Sequence, residues 1–149
     1  MRDPRSVRKA RKLSLEEAWR SVLPPRLLVA AVDGGRMARR LRQDGYHVDE
    51  APDGAELVRR LGDLAPTPER REPYDLLIAE ASLPGPPSSL GVLRAIREVD
   101  WAVPVVLVTD PGDVESRREG HRLGARILDG SFDIDDLRTL VVNTVPSPR

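Results

Sequence analysis

Three polar side chains stand at the carboxyl ends of apolar runs: Asp33 after Leu27 to Val32, Glu80 after Leu76 to Ala79, and Thr109 closing the run that starts at Val103. If those runs are strands of one parallel sheet, two carboxylates and a hydroxyl gather where open α/β sheets hold their ligands. Such a set suits a small ligand or a nucleotide. The two histidines, His47 and His121, have no cysteine or second histidine nearby, so surface or strand-end placement is expected over metal ligation or catalysis. Cysteine is absent, which excludes disulfides, thiolate metal sites and thiol nucleophiles. Asp33-Gly34-Gly35 lacks the spacing of a dinucleotide fingerprint or a P-loop and reads as a glycine-assisted helix start. No nucleophile and base pair up, so no enzyme, cofactor or metal centre is expected.

The positioning elements follow from periodicity. Five apolar segments alternate with helical patterns, the signature of a doubly wound α/β fold with a parallel sheet covered on both faces. The expected strands are Leu27 to Val32, His47 to Glu50, Leu76 to Ala79, Val103 to Thr109, and Arg126 to Asp129. The first, third and fourth are nearly unbroken runs of Val, Leu, Ile and Ala, as buried parallel strands require. Apolar helical faces are expected at Met37 and Leu41; Leu57, Leu61 and Leu64; Leu90, Leu93 and Ile96; and Ile134, Leu137, Leu140 and Val141, with Asp133 as an N-cap. Ser88-Ser89 supplies N-caps after the stiff Gly85-Pro86-Pro87 loop. The segment from Asp113 to Leu123 has only Val114 and Leu123 as large apolar residues and carries Gly120, so it should form the least stable helix. The proline-rich stretch 65–73 is expected to be an exposed, mobile loop.

A chain of 149 residues with 40% apolar composition supports one domain and a short appendage. No apolar run is long enough to span a membrane and no secretory signal is visible, so the expected compartment is the cytoplasm. Net charge is zero but unevenly placed. Residues 1–12 carry Arg2, Arg5, Arg8, Lys9, Arg11 and Lys12 against Asp3, a basic flexible arm of +5 ahead of a remainder at −5. Nucleic-acid attachment through this arm is one alternative; a solvated tail is the simpler one. Ser14-Leu15-Glu16-Glu17 is a capping box that opens an amphipathic helix over 13–24, with Leu15, Ala18, Trp19 and Val22 in one stripe and Pro24-Pro25 ending it. That helix either packs on its own domain or presents Trp19 to a partner.

From Arg26 to Val145 an ordered set of landmarks resembles the receiver domain of two-component response regulators. The set comprises Asp44-Gly45-Tyr46, Glu50-Ala51-Pro52-Asp53-Gly54, Tyr74 to Gly85 with Leu83-Pro84-Gly85, Val103 to Thr109, Gly124-Ala125 and Phe132-Asp133. The resemblance implies a flavodoxin-like sheet of order 2-1-3-4-5 over residues 25–145, an N-terminal helical extension, and a tail at 146–149. It also implies a crevice with an acidic pair for Mg²⁺, an acceptor aspartate, a hydroxyl and a lysine. Here the pair is reduced to Asp33, the acceptor position holds Glu80, the hydroxyl is Thr109, and the lysine position reads Gly130. No lysine follows Lys12 anywhere in the chain. The aromatic of the fifth strand is replaced by Ile127. Glu80 reads either as a permanent negative charge in a phosphoryl site or as drift in a retired one.

These departures lead to the expectation of a pseudo-receiver that works in signal transduction by protein–protein contact without aspartyl phosphorylation. Its partners are then proteins of a signalling pathway, with a homodimer also open. Arg117, Arg118, His121 and Ile127 on the fourth helix and fifth strand are the expected binding face, joined by Trp19. A small-ligand or nucleotide module using Asp33, Glu80 and Thr109 is the alternative.

Overall fold

The structure is a computed structural model that describes residues 23–62 and 74–145. The readings for the basic arm, for Trp19 and nearly all of its helix, for the proline-rich loop and for the tail lie outside the described residues.

Within them the order is β1 (Arg26–Ala30), α1 (Gly35–Gln43), β2 (His47–Ala51), α2 (Gly54–Gly62), β3 (Leu76–Glu80), α3 (Ser89–Glu98), β4 (Val105–Thr109), α4 (Val114–Arg122), β5 (Arg126–Asp129) and α5 (Ile134–Thr144). The strands form one parallel sheet in the order β2-β1-β3-β4-β5. The three central strands are covered on both sides, which is why their sequences do not alternate. Leu28, Ala30, Leu77, Ala79, Val105 and Leu107 build one core with residues of α2 and α3. Leu27, Val29, Leu76, Ile78, Val106 and Val108 build the other with α1 and α5. Each fully buried Leu or Ile side chain contributes about 1.5–3 kcal/mol, so the central strands hold most of the fold. The edges β2 and β5 carry exposed His47 and Arg126.

Two strand limits differ from the sequence expectation by two residues, and three others, the start of β1 and the ends of β2 and β3, by one. β1 stops at Ala30 instead of Val32, because the Val32 N–H is taken by the Glu80 carboxylate and the chain turns out of the sheet there. β4 starts at Val105 instead of Val103: Pro104 has no N–H for a ladder, and the Val103 carbonyl accepts from the Arg97 guanidinium at 2.8 Å. Arg97 also donates to the carbonyls of Trp101 and Leu123, stapling the end of α3 to the loops on either side of β4.

Helix starts follow the capping residues. Ser88 accepts from the Gly91 N–H, Asp113 from Ser116 and Asp53 from Glu56, while Asp133 and Asp136 form a capping box on α5. Helix α1 begins after Gly34 with no side-chain cap. The N-terminus of α2 abuts the β3–α3 loop so closely that a Cβ on Gly54 would lie 1.8 Å from the Pro87 carbonyl oxygen. Glycine is required there by the approach of backbone to backbone. At the start of β3, buried Tyr74 donates its hydroxyl to Asp49 at 2.8 Å. Burial, and then that hydrogen bond, push its pKa up to about 12.

Candidate functional site

The register places the site. Ala30 pairs with Ala79 and Glu80 with Val108, so the residues following β1, β3 and β4 emerge together at one end of the sheet. Glu80 Oε1 accepts the Val32 N–H at 2.9 Å, tying the end of β3 to the β1–α1 turn across the crevice. The Glu80 carbonyl accepts from the hydroxyl of Ser89, a residue only 3% exposed, at 2.6 Å, which anchors the same residue to the first turn of α3. Glu80 is thus held at its backbone and committed through its side chain.

The positions next to it, just past the end of β1, are apolar. Ala31 is buried and Val32 is 61% exposed, while Asp33 lies exposed in the turn beyond them. Asp33 has no hydrogen bond to Glu80, Thr109 or Gly130 among the described residues. The structure therefore brings Glu80 to the β1 turn but leaves Asp33 outside that contact.

Thr109 closes β4 at 1% exposure, and its hydroxyl has no hydrogen-bond partner among the described residues. Its carbonyl accepts the Gly130 N–H at 2.7 Å, which closes the β5–α5 turn onto β4. A Cβ on Gly130 would stand 3.2 Å from that carbonyl oxygen, tighter than ordinary contact, so any side chain there would require a shift. Asp110 stands beside the same glycine. Arg117 lies near enough to Asp113 and Asp129 to favour the charged form of both. Hydrogen bonds from Ser116 hold the Asp113 carboxyl below its ordinary range, and those from Ser131 do the same for Asp129.

The Mg²⁺ that the receiver resemblance implies needs near-octahedral oxygen coordination. The donor set here does not fit it. Asp33 is exposed and has no hydrogen bond to Glu80, one Glu80 oxygen is taken by a backbone N–H, and no group of three or more metal-ligating side chains occurs among the described residues.

On the flank beside β5, Arg117, Arg118 and His121 are exposed and Ile127 is half-buried. Gly120 is the buried residue of α4: a Cβ on it would come within 2.5 Å of Leu107 Cδ2 and 3.1 Å of Ile127 Cδ1. The helix thus reaches the sheet through a missing side chain. Sequence reasoning counted Gly120 only as a weakness, and it read Ser89 only as a cap. The signal for Gly120 was its place on the inward side of an otherwise polar helix; Ser89 had none.

No family model and no curated protein sequence matches the chain. Solved structures do. The receiver domain of the Francisella response regulator 1452 aligns at 22% identity with a TM-score of 0.67, covering 80% of this chain and 95% of that one. The chemotaxis protein CheY4 of Vibrio cholerae gives 19% and 0.66, covering 82% and 99%. The receiver domain of NtrX from Brucella abortus gives 22% and 0.67, covering 79% and 96%. With the strand order and these alignments in agreement, the chain has the fold of a response-regulator receiver domain.

Proposed function

We propose that the chain is a pseudo-receiver: a signalling module that binds protein partners in the cytoplasm and is not switched by phosphorylation. The solved neighbours are named as response regulators or a chemotaxis protein, which supports a role in two-component signalling. The observation that carries the rest is the Glu80 to Val32 hydrogen bond. A carboxylate already used to close the turn is a poor acceptor, since transfer requires a near-attack geometry that an extra methylene and a committed lone pair both disturb. Gly130 supplies no ammonium, and a phosphoryl group would lie beside Glu80 and Asp110 with its charge uncompensated. Electrostatic groups of this kind usually supply several kcal/mol in such sites.

Partner contact falls to the surface of α4, β5 and α5, where Arg117, Arg118 and His121 project and Ile127 lies beneath, with Trp19 as a further anchor. Two measurements test the reading. Incubation with acetyl phosphate and Mg²⁺ followed by mass spectrometry should give no phosphoryl adduct at Glu80; a stoichiometric adduct would overturn it. Alanine at Arg117, Arg118 and His121 should weaken capture of the native partner without lowering the melting temperature, and loss of both together would count against this face.

A further inference from the structure

We propose that Arg42 guards the free β2 edge of the sheet, and that the partner it holds off is a second copy of this chain adding its own β2 antiparallel to this one. The main-chain hydrogen bonds fix which groups face outward. The His47 N–H donates to the Pro25 carbonyl and the Ala51 carbonyl accepts from the Ala31 N–H, so His47, Asp49 and Ala51 turn their main chain toward β1. Val48 and Glu50 then turn theirs away from the sheet, as the alternation of a parallel ladder requires. Among the described residues only the Val48 carbonyl of these outward groups has a partner, and that partner is a side chain. Arg42 Nη2 donates to it at 2.7 Å, while Nη1 of the same guanidinium pairs with the Glu50 carboxylate at 3.2 Å.

An edge with unpaired N–H and C=O groups is a template for another strand, and proteins blunt it with proline, lysine, a bulge or a cover. β2 has none of the first three: its pairing with β1 runs unbroken from His47 to Ala51, and the strand holds neither proline nor lysine. A hollow of about 550 Å³ lined by Glu50, Pro52, Asp53, Glu56 and Arg60 opens beside it, leaving room for a neighbour's side chains. The opposite edge is protected differently. On β5 the outward residues are Ile127 and Asp129, and the Asp129 carbonyl accepts the Phe132 N–H at 2.9 Å, a main-chain bond of the following turn. That lock belongs to the backbone, whereas the lock on β2 hangs on one side chain, 47% exposed, in the last turn of α1.

Self-complementarity selects the second copy. With Asp49 on a two-fold axis, Val48 of each strand lies opposite Glu50 of the other, and every outward N–H finds an outward carbonyl. His47 then faces Ala51 at each end, and Pro52, which has no N–H, ends the ladder. Half of those bonds need the Val48 carbonyls. Arg42 occupies both of them, and its guanidinium stands where the incoming N–H must come. Asp49 would face its counterpart across the axis, yet each is already met by the Tyr74 hydroxyl at 2.8 Å, Arg26 at 3.5 Å and Arg60 at 3.8 Å, so its repulsion is muted.

The test uses the full chain in sedimentation velocity, with backbone amide exchange read by NMR. In the unsubstituted chain the amides of Val48 and Glu50 should exchange at least roughly tenfold faster than those of Asp49 and Ala51 and gain no protection as concentration rises. Arg42→Ala should become a concentration-dependent dimer with a gain in self-association of roughly tenfold or more, the worth of the main-chain bonds set free. Its Val48 and Glu50 amides should then be protected. Arg42→Lys keeps the charge without the two-pronged reach and should associate to a lesser degree, which decides the matter if the alanine variant melts early. Glu50→Pro removes an N–H that faces outward, a change an edge strand tolerates, and in Arg42→Ala/Glu50→Pro it should restore the monomer. An arginine that merely ties α1 to β2 would instead give a lower melting temperature and no association. Arg42→Ala and Arg42→Lys both remaining as the parent at every concentration, or a dimer that Glu50→Pro leaves intact, would overturn the proposal. So would slow exchange at Val48 and Glu50 in the unsubstituted chain.

Discussion

Helices α4 and α5 flank the same edge of the sheet, one on each face, and are seated by different forces. Helix α5 buries Leu137 and Val141 completely in the core it shares with α1, opens on a capping box, and is tied to the end of α1 through Arg138 and Asp44. Helix α4 buries only Gly120 and is held at its rim by polar links, Arg94 to Glu119 at 3.1 Å and Arg97 to the Leu123 carbonyl at 2.8 Å. An apolar seat is non-directional and insensitive to salt. A polar seat at the surface is weak and screened, which fits the proposal that the outer face of this helix meets partners.

Substitutions can break or sharpen that contrast. Leu137→Ala attacks the apolar seat and should cost about 2–5 kcal/mol in urea denaturation, the range for a cavity at a site with no exposure. A loss under half a kcal/mol would mean that α5 is not held by its core face. Gly120→Val tests the opposite seat: a branched side chain driven into Leu107 and Ile127 should cost roughly 1–3 kcal/mol and lift α4 from the sheet. Wild-type stability there would show that α4 does not approach the sheet as closely as described.

Asp113→Ala removes the cap of α4 and should lower the melting temperature by less than Gly120→Val does, with faster amide exchange confined to α4. The smallest effect concerns acid. Asp113 and Asp129 have carboxyls held below the ordinary value of 3.8, so their contribution is present above that value and fades as pH falls through the lower folded-state range. Amides of α4 and β5 should lose exchange protection before those of α5 as pH drops toward 3. Simultaneous loss would erase the distinction.

The same contrast explains what could be read in the chain beforehand. Strands β1, β3 and β4 were legible because two-sided burial writes itself as a continuous apolar run, and Asp133 was legible because capping is local. The end of β1 was not, since the Val32 N–H is diverted by a side chain 48 residues away. Gly120 was misjudged for a related reason: composition registers a missing side chain as weakness, whereas packing uses the vacancy. At the crevice, the resemblance identified the residue types at 33, 80, 109 and 130. The bonds joining Glu80 to Val32, Ser89 to Glu80 and Gly130 to Thr109 depend on tertiary approach, and no spacing announces them.

The most direct measurement is a titration of the full chain with Mg²⁺ and beryllium fluoride, a phosphoryl stand-in, followed through backbone amide resonances. A crevice closed by its own carboxylate should leave the amides of Val32, Ala81, Thr109 and Gly130 unmoved across the titration. Saturable shifts gathered at those four positions would contradict the account.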